Sequence, residues 1–197
     1  VITSVTRDDL PDGGAEHFYR CIHAVRNRTG SAVEVLTPDF MGNKAAIDRV
    51  IEAKPDVFNH NIETVPRLYG KVRPGHTYEC SVNILKTAKA MRPGVLTKTG
   101  MMLGLGETKD EVVQSMKDLV NVGCDVLTLG QYLQPTKKHL AVQRFVHPDE
   151  FAELREIGYE IGFDYVESGP LVRSSYHSEK HVIKGWGKNK WLSEKNA

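Results

Sequence analysis

The densest set of reactive side chains lies at Glu167-Ser-Gly-Pro-Leu-Val-Arg-Ser-Ser-Tyr-His177. There a fixed cation, Arg173, stands beside two hydroxyls, Ser174 and Ser175, and a phenol, Tyr176. Gly169-Pro170 forbids a regular element, so these groups sit on a loop leaving the apolar run 163–166. A cation with hydroxyls and a ring suits a polar ligand, although the same residues also make a turn with an N-cap serine. Other polar groups recur in comparable places: Thr6, Arg7, Asp8 and Asp9; Asn59, His60, Asn61 and Glu63; Gly104, Gly106 and Glu107; Gln131 and Tyr132. Each alone has a structural use, as turn caps, strand-end amides or glycines in a tight turn. Lys98 is different, because it lies inside the apolar run 95–103 and a buried lysine needs a partner or a cavity. Schiff-base chemistry is one use for such a lysine, which keeps an aldolase-type lyase acting through Lys98 open as an alternative. His177 and His181 have helical spacing, but no third zinc ligand lies near them in sequence. Lys137-Lys138-His139 makes a solvated loop, or a landing patch for an acidic protein.

The elements that must position these groups alternate regularly. β-branched strands are expected at 1–6, 33–38, 57–61, 95–103 and 125–130, with a last one closing at Tyr165-Val166. Helices are expected from Ala15 to about Arg28, stopped by Gly30; from Asn43 through Ile47, Val50 and Ile51; over 78–91; after Thr108; and from His147-Pro148-Asp149. Strand, loop and helix in repetition predict parallel strands with crossover helices. No G-x-G-x-x-G follows a strand, which argues against a dinucleotide-binding fold. Polar residues fall just after the strands, where a barrel of the TIM type carries its chemistry. The expected fold is therefore α/β: a partial, TIM-like (β/α) barrel over 1–177, with too few strands for the eightfold form. The polar tail, 178–197, is expected to be partly helical and anchored by Trp186 and Trp191.

The 197 residues carry a net charge of +1, which gives no electrostatic case for nucleic acid or an anionic membrane. No apolar run approaches a membrane span. Cys21, Cys80 and Cys124 are far apart without a CxxC spacing, as reduced thiols of a cytosol-like compartment would be. The chain opens inside a strand, which suggests a piece of something longer.

Five segments carry a resemblance: Thr3–Gly14, Phe58-Asn-His-Asn-Ile-Glu-Thr64, Gly100-Met-Met-Leu-Gly-Leu-Gly-Glu-Thr108, Gly130-Gln-Tyr-Leu-Gln-Pro135 and Glu167–His177. In this order and spacing they closely resemble the lipoyl synthase family of radical S-adenosylmethionine (SAM) enzymes. The resemblance covers Val1 to about His181 and implies the radical SAM version of the partial barrel. It also implies insertion of two sulfur atoms at C6 and C8 of an octanoyl chain carried on a lipoyl-domain protein. In such enzymes one [4Fe-4S] cluster cleaves SAM to a 5′-deoxyadenosyl radical, and a second supplies sulfur. The implied partners are dehydrogenase-complex E2 subunits and the glycine cleavage H protein, in the cytoplasm or, in a eukaryote, the mitochondrion.

Residue by residue, Gly100, Met102, Gly104 and Glu107 match the strand that lines the adenine, with Met in an Ile place. Asn59, Asn61 and Glu63 occupy the region for the ribose hydroxyls and the methionyl group. The motif for the SAM amino group is imperfect, because Ala15 follows Gly13-Gly14, so Thr6, Arg7 and Asp8 are expected there instead. Lys98 and Gln131 complete the cofactor set. Ser175 matches an unusual serine ligand of the second cluster, with Ser174 as the neighbouring choice and Arg173 as the cation that stabilises its charge. The two three-cysteine motifs of the family are absent. The chain is thus expected to be a C-terminal portion lacking the first barrel strand, and inactive on its own. A non-catalytic fragment that binds SAM or a lipoyl domain is the remaining alternative.

Overall fold

The structure, a computed structural model, describes residues 1–182. Six parallel strands form one sheet in chain order: β1 (Ile2–Thr3), β2 (Glu34–Leu36), β3 (Val57–Asn59), β4 (Leu96–Leu103), β5 (Val126–Gln131) and β6 (Tyr165–Ser168). Adjacent parallel strands need a crossover. It is supplied by α1 (Ala15–Thr29), α2 (Lys44–Glu52), α3 (Tyr69–Val72) with α4 (Tyr78–Met91), α5 (Lys109–Asn121) and α6 (Pro148–Ile161). A last turn of helix, α7 (Ser178–His181), follows the loop after β6. β1 and β6 are both edges, so the sheet is open and the fold is a partial barrel.

Local chemistry sets the helix ends. The Asp12 carboxylate accepts from the N–H groups of Gly14 and Glu16 at 3.0 and 2.8 Å, satisfying the first turn of α1. Asn43 caps α2 and Thr77 caps α4. Thr108 and Glu111 form a reciprocal capping box on α5, and His147 with Pro148 opens α6. Gly30 ends α1 in the left-handed region at φ 66°.

The expected strands shorten at two places that matter for the site. The first keeps only Ile2 and Thr3, which pair with Val35 and Leu36. The third stops at Asn59, and Glu63 returns to the sheet through a single bridge to Met101. The tail begins as expected with helix at Ser178–His181, whereas Trp186 and Trp191 lie outside the described residues.

Alternation along the strands divides the sheet into two unlike faces. Val35, Phe58, Met101, Leu103, Leu127, Leu129 and Val166 join the apolar core with helix residues such as Ile22, Val50, Leu85, Met116 and Leu154. The intervening residues Glu34, Asn59, Lys98, Gly100, Thr128 and Gly130 have the opposite parity and form the inner face. Burial of the first set drives folding. The second set is left for chemistry.

Candidate functional site

The lower part of the inner face is a closed ionic cluster. Lys98 is fully buried, with Nζ 2.9 and 3.1 Å from the two oxygens of Glu34 and 3.2 Å from His181 Nδ1. Asn59 Nδ2 donates to the same Glu34 carboxylate at 2.9 Å. Burial pushes the Lys98 pKa down and the Glu34 charge opposes that. Lys98 lines neither of the two cavities at the mouth described next. Its three hydrogens already meet three acceptors, which leaves no room there for a carbonyl substrate.

Above this floor the mouth holds two cavities, each close to 200 Å³, that meet at Asn61 and Glu63. The first, about 190 Å³, is bounded by Gly100, Met102, Thr128, Gly130, Gln131, Arg173 and Ser174 as well. The second, about 180 Å³, adds Thr3, Ser4, Thr6, Thr37, His60 and Arg73. Asn61 Oδ1 is buried with no hydrogen-bond partner, an acceptor presented to whatever fills the mouth. It lies 2.9 Å from where a Cβ on Gly100 would stand, so only glycine leaves that wall open. Glu63 takes a left-handed conformation at φ 66° and is tied to β4 on both sides, its N–H donating to Gly100 O and its carbonyl accepting from Met102 N. Burial raises its pKa, against the pull of Arg73 and Asn61.

A hydrogen-bonded scaffold carries the second cavity. Thr37 O can only accept, so His60 carries its proton on Nδ1 and donates there at 3.0 Å. His60 Nε2 then accepts from Ser81 Oγ at 2.9 Å. Burial lowers the His60 pKa to about 4, and the ring is neutral at pH 7. Ser81 Oγ in turn accepts from Tyr69 OH at 2.6 Å and from Arg73 Nη1 at 3.2 Å. Arg73 Nη2 faces Asp39 at 3.5 Å. Burial works to raise the Asp39 pKa, but the Met41 N–H, His76 and Arg73 outweigh it and hold it low.

The expected site residues separate into groups. Asn61, Glu63, Gly100, Met102, Gln131, Arg173 and Ser174 border the first cavity, and Thr6 borders the second. Asn59 and Lys98 belong to the floor. Arg7 is exposed and paired with Asp9 at 2.6 Å, and Asp8 is exposed beside it. Gly104, at φ 99°, and Leu105 donate their N–H groups to Glu107 at 2.6 and 2.9 Å, so this carboxylate shapes the turn after β4. The Gln131 amide clasps the following loop, donating to Arg144 O at 3.1 Å and accepting from Val146 N at 2.9 Å. Ser175 is exposed one step beyond the cavity wall, while Ser174 is on it. His177 and His181 diverge, the first toward Glu179 and the second toward Lys98. Thr128, Gly130 and Arg73 are additions that the sequence reading does not single out. Arg73 lies in a connection without periodicity, and its position before Pro74-Gly75 was the one available signal.

Among the described residues no three His, Cys, Asp or Glu side chains converge on a metal position. The thiols are on separate elements, Cys21 on α1, Cys80 on α4 and Cys124 before β5. Burial pushes Cys124 up to about 12, which opposes thiolate formation. An iron–sulfur cluster does not fit the thiols of this chain.

Residues 1–119 match the radical SAM superfamily. The lipoyl synthase of Caldanaerobacter subterraneus subsp. tengcongensis is 58% identical over 179 residues, covering 91% of this chain and 63% of its own length. That of Rubrobacter xylanophilus is 58% identical over 183 residues, 92% of this chain and 57% of its own. The chain thus spans about six-tenths of the length of these relatives. The crystal structure of methylornithine synthase (PylB) superposes with a TM-score of 0.57 at 14% identity, over 91% of this chain and 60% of that one. That likeness concerns the fold alone.

Proposed function

This chain belongs to the radical SAM superfamily, and on that premise we propose that it forms the SAM-binding and serine-loop portion of a lipoyl synthase. The whole enzyme would insert sulfur at C6 and C8 of an octanoyl chain held on a lipoyl-domain protein, such as an E2 subunit or the glycine cleavage H protein. Its place would be the cytoplasm, or the mitochondrion in a eukaryote. Among the described residues no helix is long and apolar enough to cross a membrane.

The observation that carries this reading is the joining of the two cavities at Asn61 and Glu63. An unpartnered amide oxygen beside a carboxylate suits the vicinal hydroxyls of a ribose. The wall made by Gly100 and Met102 would take the flat adenine, with Gly104 and Glu107 fixing the end of that strand. The second cavity, with its hydroxyls and Arg73, would take an amino-acid head group; Thr6 is the member of the Thr6-Arg7-Asp8 turn that borders it. Bound across both, SAM would supply the hydrogen-abstracting group of the reaction. The chain's own residues then bind and orient it: Asn61 and Glu63 fix the sugar, Arg73 the carboxylate, and the loop bearing Arg173, Ser174 and Ser175 covers the first cavity. Ser175 is the oxygen this chain would offer to a cluster. The two [4Fe-4S] clusters of the family find no thiolate set in this chain, and no step is assigned to its cysteines.

Calorimetric titration of the 197-residue chain with SAM tests the proposal. Saturable one-to-one binding is expected, weakened at least about tenfold by Asn61→Ala and left unchanged by Lys138→Ala on the distant basic loop. If the unsubstituted chain binds no SAM, the reading fails.

A further inference from the structure

The floor cluster and the serine loop are physically connected. The backbone hydrogen bonds after Val172 are short-range: Tyr176 N–H to Arg173 O, Ser178 N–H to Ser175 O and Lys180 N–H to His177 O. Such turns fix local shape but do not locate a segment on the molecule. His177 adds a left-handed conformation at φ 50° without a side-chain cap, so the turn into α7 is not favoured by its own sequence. Upstream, the loop is moored to β5 through Gly169 N–H to Leu129 O and Gln131 N–H to Pro170 O. At the downstream end, His181 is buried, stacks edge-on against Tyr165 at 4.7 Å and meets Lys98 at 3.2 Å.

We infer that Lys98 and His181 form a latch that pins the far end of the Arg173–His177 loop over the mouth, making both of them positioning residues. An ammonium has three hydrogens. Two of those on Lys98 go to Glu34, and the third reaches His181 Nδ1, which must therefore be unprotonated. The ring's one proton then sits on Nε2, which is buried without a hydrogen-bond partner among the described residues, so the Lys98 contact and the Tyr165 ring are what hold the imidazole. Burial and the Lys98 charge lower the His181 pKa to about 3, so the acceptor is available at neutral pH. The latch accounts for a buried lysine in a barrel that makes no use of it as a nucleophile. It also accounts for a histidine inside the barrel on an otherwise polar tail. It holds whether or not the ligand of the mouth is SAM.

The test is limited trypsin digestion of the full chain, comparing cleavage after Arg173 with cleavage after Lys138, which lies on the exposed loop after β5. His181→Ala is expected to raise the Arg173 to Lys138 rate ratio about tenfold, as local opening of the loop becomes easier. His181→Asn places an amide oxygen near the Nδ1 position and is expected to bring the ratio back to within about twofold of the unsubstituted chain. An unchanged ratio in His181→Ala overturns the latch. Equal acceleration at both sites also overturns it, since His181 would then support the whole fold. So does His181→Asn behaving like His181→Ala, because the hydrogen bond would then not be what holds the loop.

Discussion

At the scale of single residues, the mouth is defined as much by missing atoms as by present ones. A Cβ on Gly130 would sit 2.3 Å from Val172 O, a backbone atom of the serine loop that cannot turn aside. Gly130→Ala is therefore expected to push that loop off β5. Stability should fall by about 1–3 kcal/mol, and any SAM affinity should weaken with it. Urea unfolding and the same titration measure both. Gly94→Ala, where nothing lies within 4 Å of the added carbon, is the matched control and is expected to be near neutral. Lys98 shows what a sequence can and cannot say about one residue. Its place in an apolar run announced a partner or a cavity, and the partner proved to be Glu34, 64 residues away.

At the scale of elements, the connection from β4 to α5 brings several local devices together. Glu107 satisfies two N–H groups of the turn, and Thr108 and Glu111 cap the helix. Arg67 then reaches Glu111 with bonds of 2.6 and 2.9 Å. That contact, ahead of the Thr108 N–H, lowers the Glu111 pKa to about 2. Thr108→Ala is expected to cost about 1 kcal/mol. Glu107→Ala leaves two buried N–H donors without an acceptor and is expected to cost more, roughly 2–4 kcal/mol. Denaturant midpoints of the two variants give the order, and a Glu107 variant no weaker than the Thr108 one would contradict the role given to this carboxylate.

At the scale of the whole molecule, buried neutral histidines make the fold sensitive to acid. The His60 pKa is about 4 in the folded chain and about 6.5 when unfolded. The unfolded state thus binds the proton first. The stability tied to His60 is complete above about pH 6.5 and is lost as pH falls toward 4. His181, at about 3, acts in the same direction and extends the loss lower. Glu63, whose pKa is raised, runs the opposite way: its burial cost at neutral pH is relieved on protonation. His60 alone should account for roughly 3 kcal/mol across its window. Melting temperatures from pH 7 to 4 are expected to fall steadily, before most carboxylates titrate. In a Glu63→Gln variant, where the opposing titration is removed, a flat profile over that range would mean that His60 is charged or hydrated in the fold.

The order of elements was determined by the sequence itself, because helix periodicity, caps such as Asn43 and Thr108, and the stop at Gly30 act over a few residues. The placing of polar groups after strands, and hence a polar mouth, follows from the same local pattern. The tertiary structure decided which of those groups meet. Asn59 and Asn61 are two apart, yet the strand ends between them, and one amide turns to the floor while the other faces the cavities. Arg73 and His181 reach the barrel from segments without periodicity, and Glu34 finds Lys98 across two strand pairings. Those meetings depend on sheet register and on the path of long connections, which no short window of sequence encodes.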